Sequence, residues 1–136
     1  NYSVTGIVVV STPQEVALAD ARKALNMFVD QQVNVPVLGV VENMSFFSPP
    51  ETPDKKYYLF GKEGARKMAA EHNIRLLAEI PLVESVSQSG DKGIPAVCDD
   101  NNPLQKVFMS MAQNTAQAVA IRNATLEPTK VVEVKS

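Results

Sequence analysis

Two apolar segments on either side of a helical pattern constrain this chain most. Ile7-Val8-Val9-Val10 is a continuous run of β-branched residues, and residues 35–42 form a second, nearly all apolar run. Runs of this kind are typical of strands that are buried on both faces of a parallel sheet. We therefore predict two buried strands, and parallel neighbours need a crossover connection between them.

The residues between the two runs predict that this crossover is a helix. Thr12 is a favourable N-cap, Pro13 suits the first helical position, and Glu15 completes a capping box. Apolar residues then recur at helical spacing up to a predicted end near Gln31 and Gln32. The predicted inward face consists of Leu18, Ala21, Leu25, Phe28 and Val29. The natural topology for this pattern is a right-handed βαβ unit.

The alternation of strands and helices continues along the chain. We predict a short helix over residues 64–73 with Ala65, Met68 and Ala69 inward, and a third strand over 76–80 that Pro81 stops. The intervening residues 46–56 are rich in proline and predict a loop that is mobile at its tip. A helical turn is predicted over 83–89. A turn over 90–93 and a long helix from Pro103 follow.

The fold class predicted from this order is α/β. We expect a partial doubly wound, mainly parallel sheet with flanking helices. The last helix should run to Arg122, because the helical periodicity stops at Asn123. We therefore assign residues 1–122 to one domain or part of one and expect residues 123–136 to be a flexible tail. The chain enters a core strand almost at once after Asn1, so we expect it to be a piece of a longer protein.

Composition narrows the class of partners. The net charge of −2 argues against a nucleic-acid surface, which normally has a basic excess. No apolar run approaches the ~20 residues that span a bilayer, so we expect no membrane contact. The single cysteine, Cys98, excludes an intrachain disulfide and fits a reducing, cytoplasmic location. We expect no metal site.

Asn43 is the first candidate site residue. It lies just past the end of the second predicted strand, and ligands of open parallel sheets bind beyond the carboxyl ends of the strands. A carboxamide offers one donor and one acceptor in a plane, which matches the N6 and N7 edge of adenine. The alternative is an asparagine that merely ends a strand in a turn.

Residues 11–23 (STPQEVALADARK) and 36–45 (PVLGVVENMS) carry a resemblance to a known family. They resemble the C-terminal half of the Mrp/ApbC P-loop ATPases, which are iron–sulfur cluster carriers and are related to MinD. Residues 60–67 (FGKEGARK) and 79–83 (EIPLV) extend the likeness. The resemblance implies the C-terminal half of a P-loop NTPase fold. It also implies ATP, with Mg²⁺, bound between this part and an N-terminal part outside the chain.

The resemblance also implies roles for three cofactor-binding residues. Asn43 would recognise the adenine base, while Pro81 and Leu82 would border its ring. The family often continues with Asp where this chain has Val83. For Pro81 the alternative is a proline that only ends a strand.

No phosphate-binding loop of the form Gly-x-x-x-x-Gly-Lys followed by Ser or Thr occurs in the chain. Gly61-Lys62-Glu63 has neither the upstream glycine nor the hydroxyl. The full-length protein is expected to be an ATPase, but this chain should be inactive alone, and no catalytic residue is assigned to it.

Many members of the family have a Cys-x-x-Cys pair in the loop after Asn43, and two such pairs from two subunits hold a bridging cluster. Residues 45–57 of this chain contain no cysteine, so that cluster cannot form in the usual way. The resemblance implies a homodimer and iron–sulfur client proteins, with residues 45–57 as a dimer or partner surface.

Two other functions remain open at this point. One is a MinD/ParA-like positioning ATPase. The last helix has only Lys106 and Arg122 as cations, which argues against membrane targeting by that helix. The other is a non-enzymatic interaction module, for which Asn43→Ala should leave every binding assay unchanged.

Overall fold

The computed structural model describes residues 3–29 and 33–130. Its regular elements alternate along the chain as the sequence predicts. Their bounds are β1 Ile7–Ser11, α1 Glu15–Val29, β2 Val37–Asn43, α2 Gly64–Glu71, β3 Leu76–Ile80, α3 Glu84–Lys92, a 3₁₀ turn Ala96–Cys98, and α4 Leu104–Thr125.

The three strands form one parallel sheet in the order β1-β2-β3. Helices α1 and α2 pack on one face, around the buried residues Val9, Leu18, Leu25, Val40 and Met68. Helix α4 packs on the other face, against Val41, Leu77 and Ile80. The α/β class and the parallel sheet with flanking helices are thus confirmed.

The predicted bounds of the strands agree closely with the structure, but β1 is not buried on both faces as predicted, because Val10 is 61% exposed. β3 has the predicted bounds, β1 extends one residue further to Ser11, and β2 begins at Val37 and includes Asn43. Gly39 in β2 has a packing reason, because a Cβ there would lie 2.4 Å from Leu77 Cγ and 2.8 Å from the Arg75 carbonyl oxygen.

The helices depart from prediction mainly at their ends, where Val29, predicted on the inward face of α1, is 66% exposed. α1 begins at Glu15, two residues after the predicted first position, and its predicted end near Gln31 lies outside the described residues. The predicted turn at residues 90–93 is wrong in its first part, because Gly90 to Lys92 belong to the last turn of α3. Gly93, with a φ of 67°, ends that helix in the left-handed conformation that favours glycine.

The end of α4 involves a buried arginine. The helix continues past Arg122 to Thr125, so the predicted boundary after residue 122 falls within its last turn. Arg122 is 7% exposed, and its guanidinium donates from Nε to the Thr5 carbonyl oxygen at 2.8 Å. It also donates from Nη2 to the Glu127 carbonyl oxygen at 2.9 Å and to Thr129 Oγ1 at 2.7 Å.

Residues 131–136, the end of the tail predicted to be flexible, lie outside the described residues. Across the described ranges, every helix falls short of the length and apolar character that crossing a bilayer requires.

Candidate functional site

The three predicted site residues meet at one edge of the sheet. Asn43 pairs with Ile80 at the last position of the β2–β3 ladder, and Pro81 follows directly. The pairing continues beyond the strands, because the Leu82 amide donates to the Phe46 carbonyl oxygen at 2.8 Å. All three are at the carboxyl ends of the strands, where open α/β sheets bind ligands.

The side chain of Asn43 is partly buried, and a hydrogen bond to the next residue orients it. Its Oδ1 accepts a hydrogen bond from the Met44 amide at 2.9 Å, and Met44 has a positive φ of 54°. An amide oxygen has a second lone pair and the NH₂ group has two hydrogens. Asn43 can therefore still present one acceptor and one donor to a planar ligand.

Glu42, next to Asn43, is a buried carboxylate that the sequence analysis did not single out. It is fully buried, and its Oε1 accepts from Ser45 Oγ at 2.5 Å while its Oε2 accepts from the Ala65 amide at 2.7 Å. The Ala65 amide is in the first turn of α2, where backbone donors have no partner within the helix. Glu42 thereby joins the end of β2 to the start of α2, next to Asn43.

A signal for Glu42 was present in the sequence. An acidic residue inside the apolar run Gly39-Val40-Val41-Glu42 is rare unless it is paired, because burial of an unpaired carboxylate is costly. The run predicts that partners exist. It does not say which residues they are, since Ala65 is 23 positions away.

The segment between Ser45 and α2, residues 46–63, is called here the edge loop. Phe47 and Tyr57 form an antiparallel bridge in which each amide donates to the other carbonyl oxygen at 2.8 Å. Lys56 Nζ lies 4.3 Å from the centre of the Phe46 ring, a distance suited to cation–π attraction. The two ends of the bridged part are therefore held together by backbone hydrogen bonds.

The edge loop returns to the sheet next to the end of β1. Gly61 has a φ of 113°, and a Cβ there would lie 2.8 Å from the Pro13 carbonyl oxygen. At Gly64, the first residue of α2, a Cβ would lie at the same distance from the same oxygen. Both positions need glycine because the backbone passes so close to Pro13. The edge loop thus packs against the segment that follows β1.

The side chains at this edge are those of Asn43, Pro81 and Leu82, and none of the three is charged. Within residues 3–29 and 33–130, no three His, Cys, Asp or Glu side chains are grouped so as to hold a metal ion. Arg66 on α2 is paired with Glu79 on β3, and Cys98 is exposed on the 3₁₀ turn, outside the edge loop. The edge thus presents an amide, a proline and a leucine on backbone that is joined by the Asn43–Ile80 pairing and the Leu82–Phe46 hydrogen bond.

Comparison with known proteins identifies close relatives. The family model for the ParA group described as "NUBPL iron-transfer P-loop NTPase" matches residues 1–116. The Arabidopsis thaliana "iron-sulfur protein required for NADH dehydrogenase, mitochondrial" is 42% identical over 120 residues, which are 88% of this chain and 37% of the relative. The Aquifex aeolicus "iron-sulfur cluster carrier protein" is 43% identical over 120 residues, 88% of this chain and 32% of the relative.

The mouse "iron-sulfur cluster transfer protein NUBPL" is 45% identical over 97 residues, 71% of this chain and 30% of the relative. This chain thus spans about a third of the length of the curated relatives that it matches.

Solved structures share the fold. A nucleotide-binding protein from Archaeoglobus fulgidus, in complex with ADP, is 38% identical with a TM-score of 0.56 and covers 65% of this chain and 35% of its own. The Pyrococcus furiosus cell division ATPase MinD has a TM-score of 0.58 over 81% of this chain and 42% of its own. At 21% identity, the MinD match concerns the fold alone.

Proposed function

This chain belongs to the family of NUBPL iron-transfer P-loop NTPases, and we propose that it is the C-terminal part of an ATP-binding iron–sulfur cluster carrier. The observation that carries the proposal is the convergence of Asn43, Pro81 and Leu82 on one sheet edge. The solved relative from Archaeoglobus fulgidus that is 38% identical is a complex with ADP, which supports a nucleotide role for this fold.

In this proposal the carboxyl edge forms the base side of a nucleotide pocket. Asn43 donates from Nδ2 to the ring nitrogen of adenine and accepts from its amino group with the remaining lone pair of Oδ1. Pro81 and Leu82 supply apolar surface for the ring. Glu42 holds the backbone on which Asn43 sits by its bonds to Ser45 and Ala65.

We assign the phosphates and the accompanying Mg²⁺ to a part of the protein outside this chain, since the chain has no Gly-rich phosphate loop. When bound, ATP supplies a phosphoanhydride bond whose cleavage the complete site would catalyse. What this chain contributes is base recognition and the orientation of the edge loop.

The iron–sulfur cluster is treated as cargo. Clusters are commonly held by four thiolates, and this chain offers one cysteine, Cys98, which is exposed on the 3₁₀ turn. We therefore propose that most cluster ligands come from outside this chain. The edge loop, whose Phe47 and Tyr57 are exposed, is the surface that we assign to a second subunit or a client protein, in the cytoplasm.

Replacement of Asn43 tests the adenine assignment. In the protein made from the complete reading frame, Asn43→Ala should weaken ATP binding by about 10- to 100-fold, the loss of one bidentate base contact. GTP binding should change much less, because guanine presents a carbonyl oxygen where adenine has an amino group. Calorimetric titration with both nucleotides measures the difference, and Gln113→Ala, on the exposed side of α4, is the control.

Two results would contradict the proposal. If Asn43→Ala and the unaltered protein bound ATP with equal affinity, Asn43 would not contact the adenine base. If the complete reading frame had no Gly-x-x-x-x-Gly-Lys-Ser/Thr segment, the proposal of ATP hydrolysis would be excluded. An interaction module would then be the better interpretation.

A further inference from the structure

An open apolar cleft lies between α3, the 3₁₀ turn and α4, outside the residues of the candidate site. Its volume is about 500 Å³, and its lining includes Val86, Gly90, Ile94, Val97 and Phe108. Three of these side chains are well exposed: Val86 at 37%, Ile94 at 56% and Val97 at 37%. The cleft therefore presents apolar surface to solvent at several adjoining positions.

Helix α3, which forms one wall of the cleft, has no buried residue among the nine that the structure describes. Isolated helices of fewer than about 12 residues are marginal in water, and helices in proteins usually depend on packing of an apolar face. The apolar residues that α3 and the following turn contribute to the cleft lack such cover in the described residues.

Gly90 lines the cleft without a side chain. It lies inside α3, where glycine is about 0.5–1 kcal/mol less favourable than alanine. A Cβ at Gly90 would meet no atom within 4 Å, so packing among the described residues does not require glycine there. Because Gly90 has no side chain, another backbone has room to approach α3 closely in the cleft.

The surroundings of the cleft are acidic. Residues 84–108, which contain the whole lining, have four carboxylates and two cations, Lys92 and Lys106. The carboxylates are Glu84, Asp91, Asp99 and Asp100, and all are exposed. Asp99 and Lys92 line a second cavity, of about 330 Å³, that shares Ile94 with the cleft. An apolar ligand flanked by positive charge is therefore complementary to this surface.

We propose that the cleft docks a basic amphipathic helix of a partner protein. Helix-in-groove recognition places apolar residues at positions i, i+3 or i+4 and i+7 into a groove, here beside Gly90, while flanking Lys or Arg residues face the acidic surroundings. The cleft does not include Asn43, so the docking proposal and the nucleotide proposal can fail independently of each other.

The test uses the 136-residue chain and two synthetic peptides of about 18 residues, a length that favours helix formation. One has Leu at helical spacing with Lys elsewhere, and the other has Glu in place of each Lys. An environment-sensitive dye on Cys98, the only cysteine and the neighbour of Val97, reports binding. Calorimetry on the unlabelled chain checks that the dye does not create the site. The Leu/Lys peptide should bind saturably and the Leu/Glu peptide should not.

Gly90→Leu distinguishes docking in the cleft from general attraction of a basic peptide to an acidic protein. A Cβ at this position meets no atom within 4 Å, and a leucine side chain there occupies part of the cleft, so the affinity for the Leu/Lys peptide should fall at least about tenfold. Ser87→Leu, an exposed position on the same helix that does not line the cleft, is the matched control and should bind normally. Circular dichroism verifies that both variants are folded.

Three results would overturn the proposal. The first is an unchanged affinity of Gly90→Leu, which would leave only charge attraction. The second is equal binding of the Leu/Glu peptide. The third is self-association of the chain, measured by sedimentation, that is lost in Gly90→Leu. It would identify a second copy of the chain as the occupant of the cleft.

Discussion

At the scale of single residues, Glu42 is the clearest case of a side chain whose role depends on distant partners. Its carboxylate is completely buried, but it accepts two hydrogen bonds, from Ser45 Oγ and the Ala65 amide. Across the described ranges, no fully buried side-chain polar atom lacks a partner. The negative charge also lies at the amino-terminal end of α2, where the helix dipole is favourable to it.

Glu42→Ala should therefore destabilise the chain strongly. It leaves the Ala65 amide and the Ser45 hydroxyl buried without an acceptor, with an expected loss of about 2–4 kcal/mol in the free energy of unfolding. Urea denaturation of the 136-residue chain measures this. Glu42→Gln keeps the shape and one acceptor and should lose less, while Ser45→Ala removes only one bond. Equal stability of Glu42→Ala and the unaltered chain would show that the pair of bonds contributes nothing.

At the scale of elements, patterns of apolar residues predicted the strands well because they depend on local sequence. β3 was predicted to the residue, and the buried face of α2 was predicted through Ala65, Met68 and Ala69. The partners of Glu42 could not be predicted, because they arise from packing between elements far apart in the chain. α3 was predicted too short because Gly90 normally signals a turn.

Two glycines at helix positions should respond oppositely to alanine. At Gly64 a Cβ would lie 2.8 Å from the Pro13 carbonyl oxygen and 2.5 Å from Leu18 Cδ1, so Gly64→Ala should destabilise by about 1–3 kcal/mol through overpacking. Gly90→Ala meets open space and should stabilise by about 0.5–1 kcal/mol through helix propensity. Thermal unfolding of both variants measures the contrast, and a loss of similar size at both positions would refute it.

At the scale of the whole molecule, β1 is an edge strand of the described sheet with an uncovered side chain. Val10 is 61% exposed although it lies in a run of four apolar residues. It belongs to the same strand face as Val8, which packs beside the α4 core. Exposed apolar edge strands promote association with other chains, so this edge is where we expect the 136-residue chain to aggregate.

Val10→Lys should therefore reduce aggregation of the 136-residue chain, because a charged edge strand resists pairing. Light scattering during mild heating measures the effect. Val16→Lys is the control, since Val16 is 72% exposed but lies on α1, and it should change scattering little. Unaltered scattering of Val10→Lys would place the aggregation surface elsewhere.

The buried guanidinium of Arg122 has a consequence for how this unit can be rearranged. Because one side chain binds both Thr5 and Thr129, the polypeptide enters and leaves the described fold at neighbouring points. A unit with adjacent ends suits circular permutation and insertion into a host protein. The edge loop is the natural place for the new termini, since the bridge between Phe47 and Tyr57 lets the chain be opened at the tip without separating the strands.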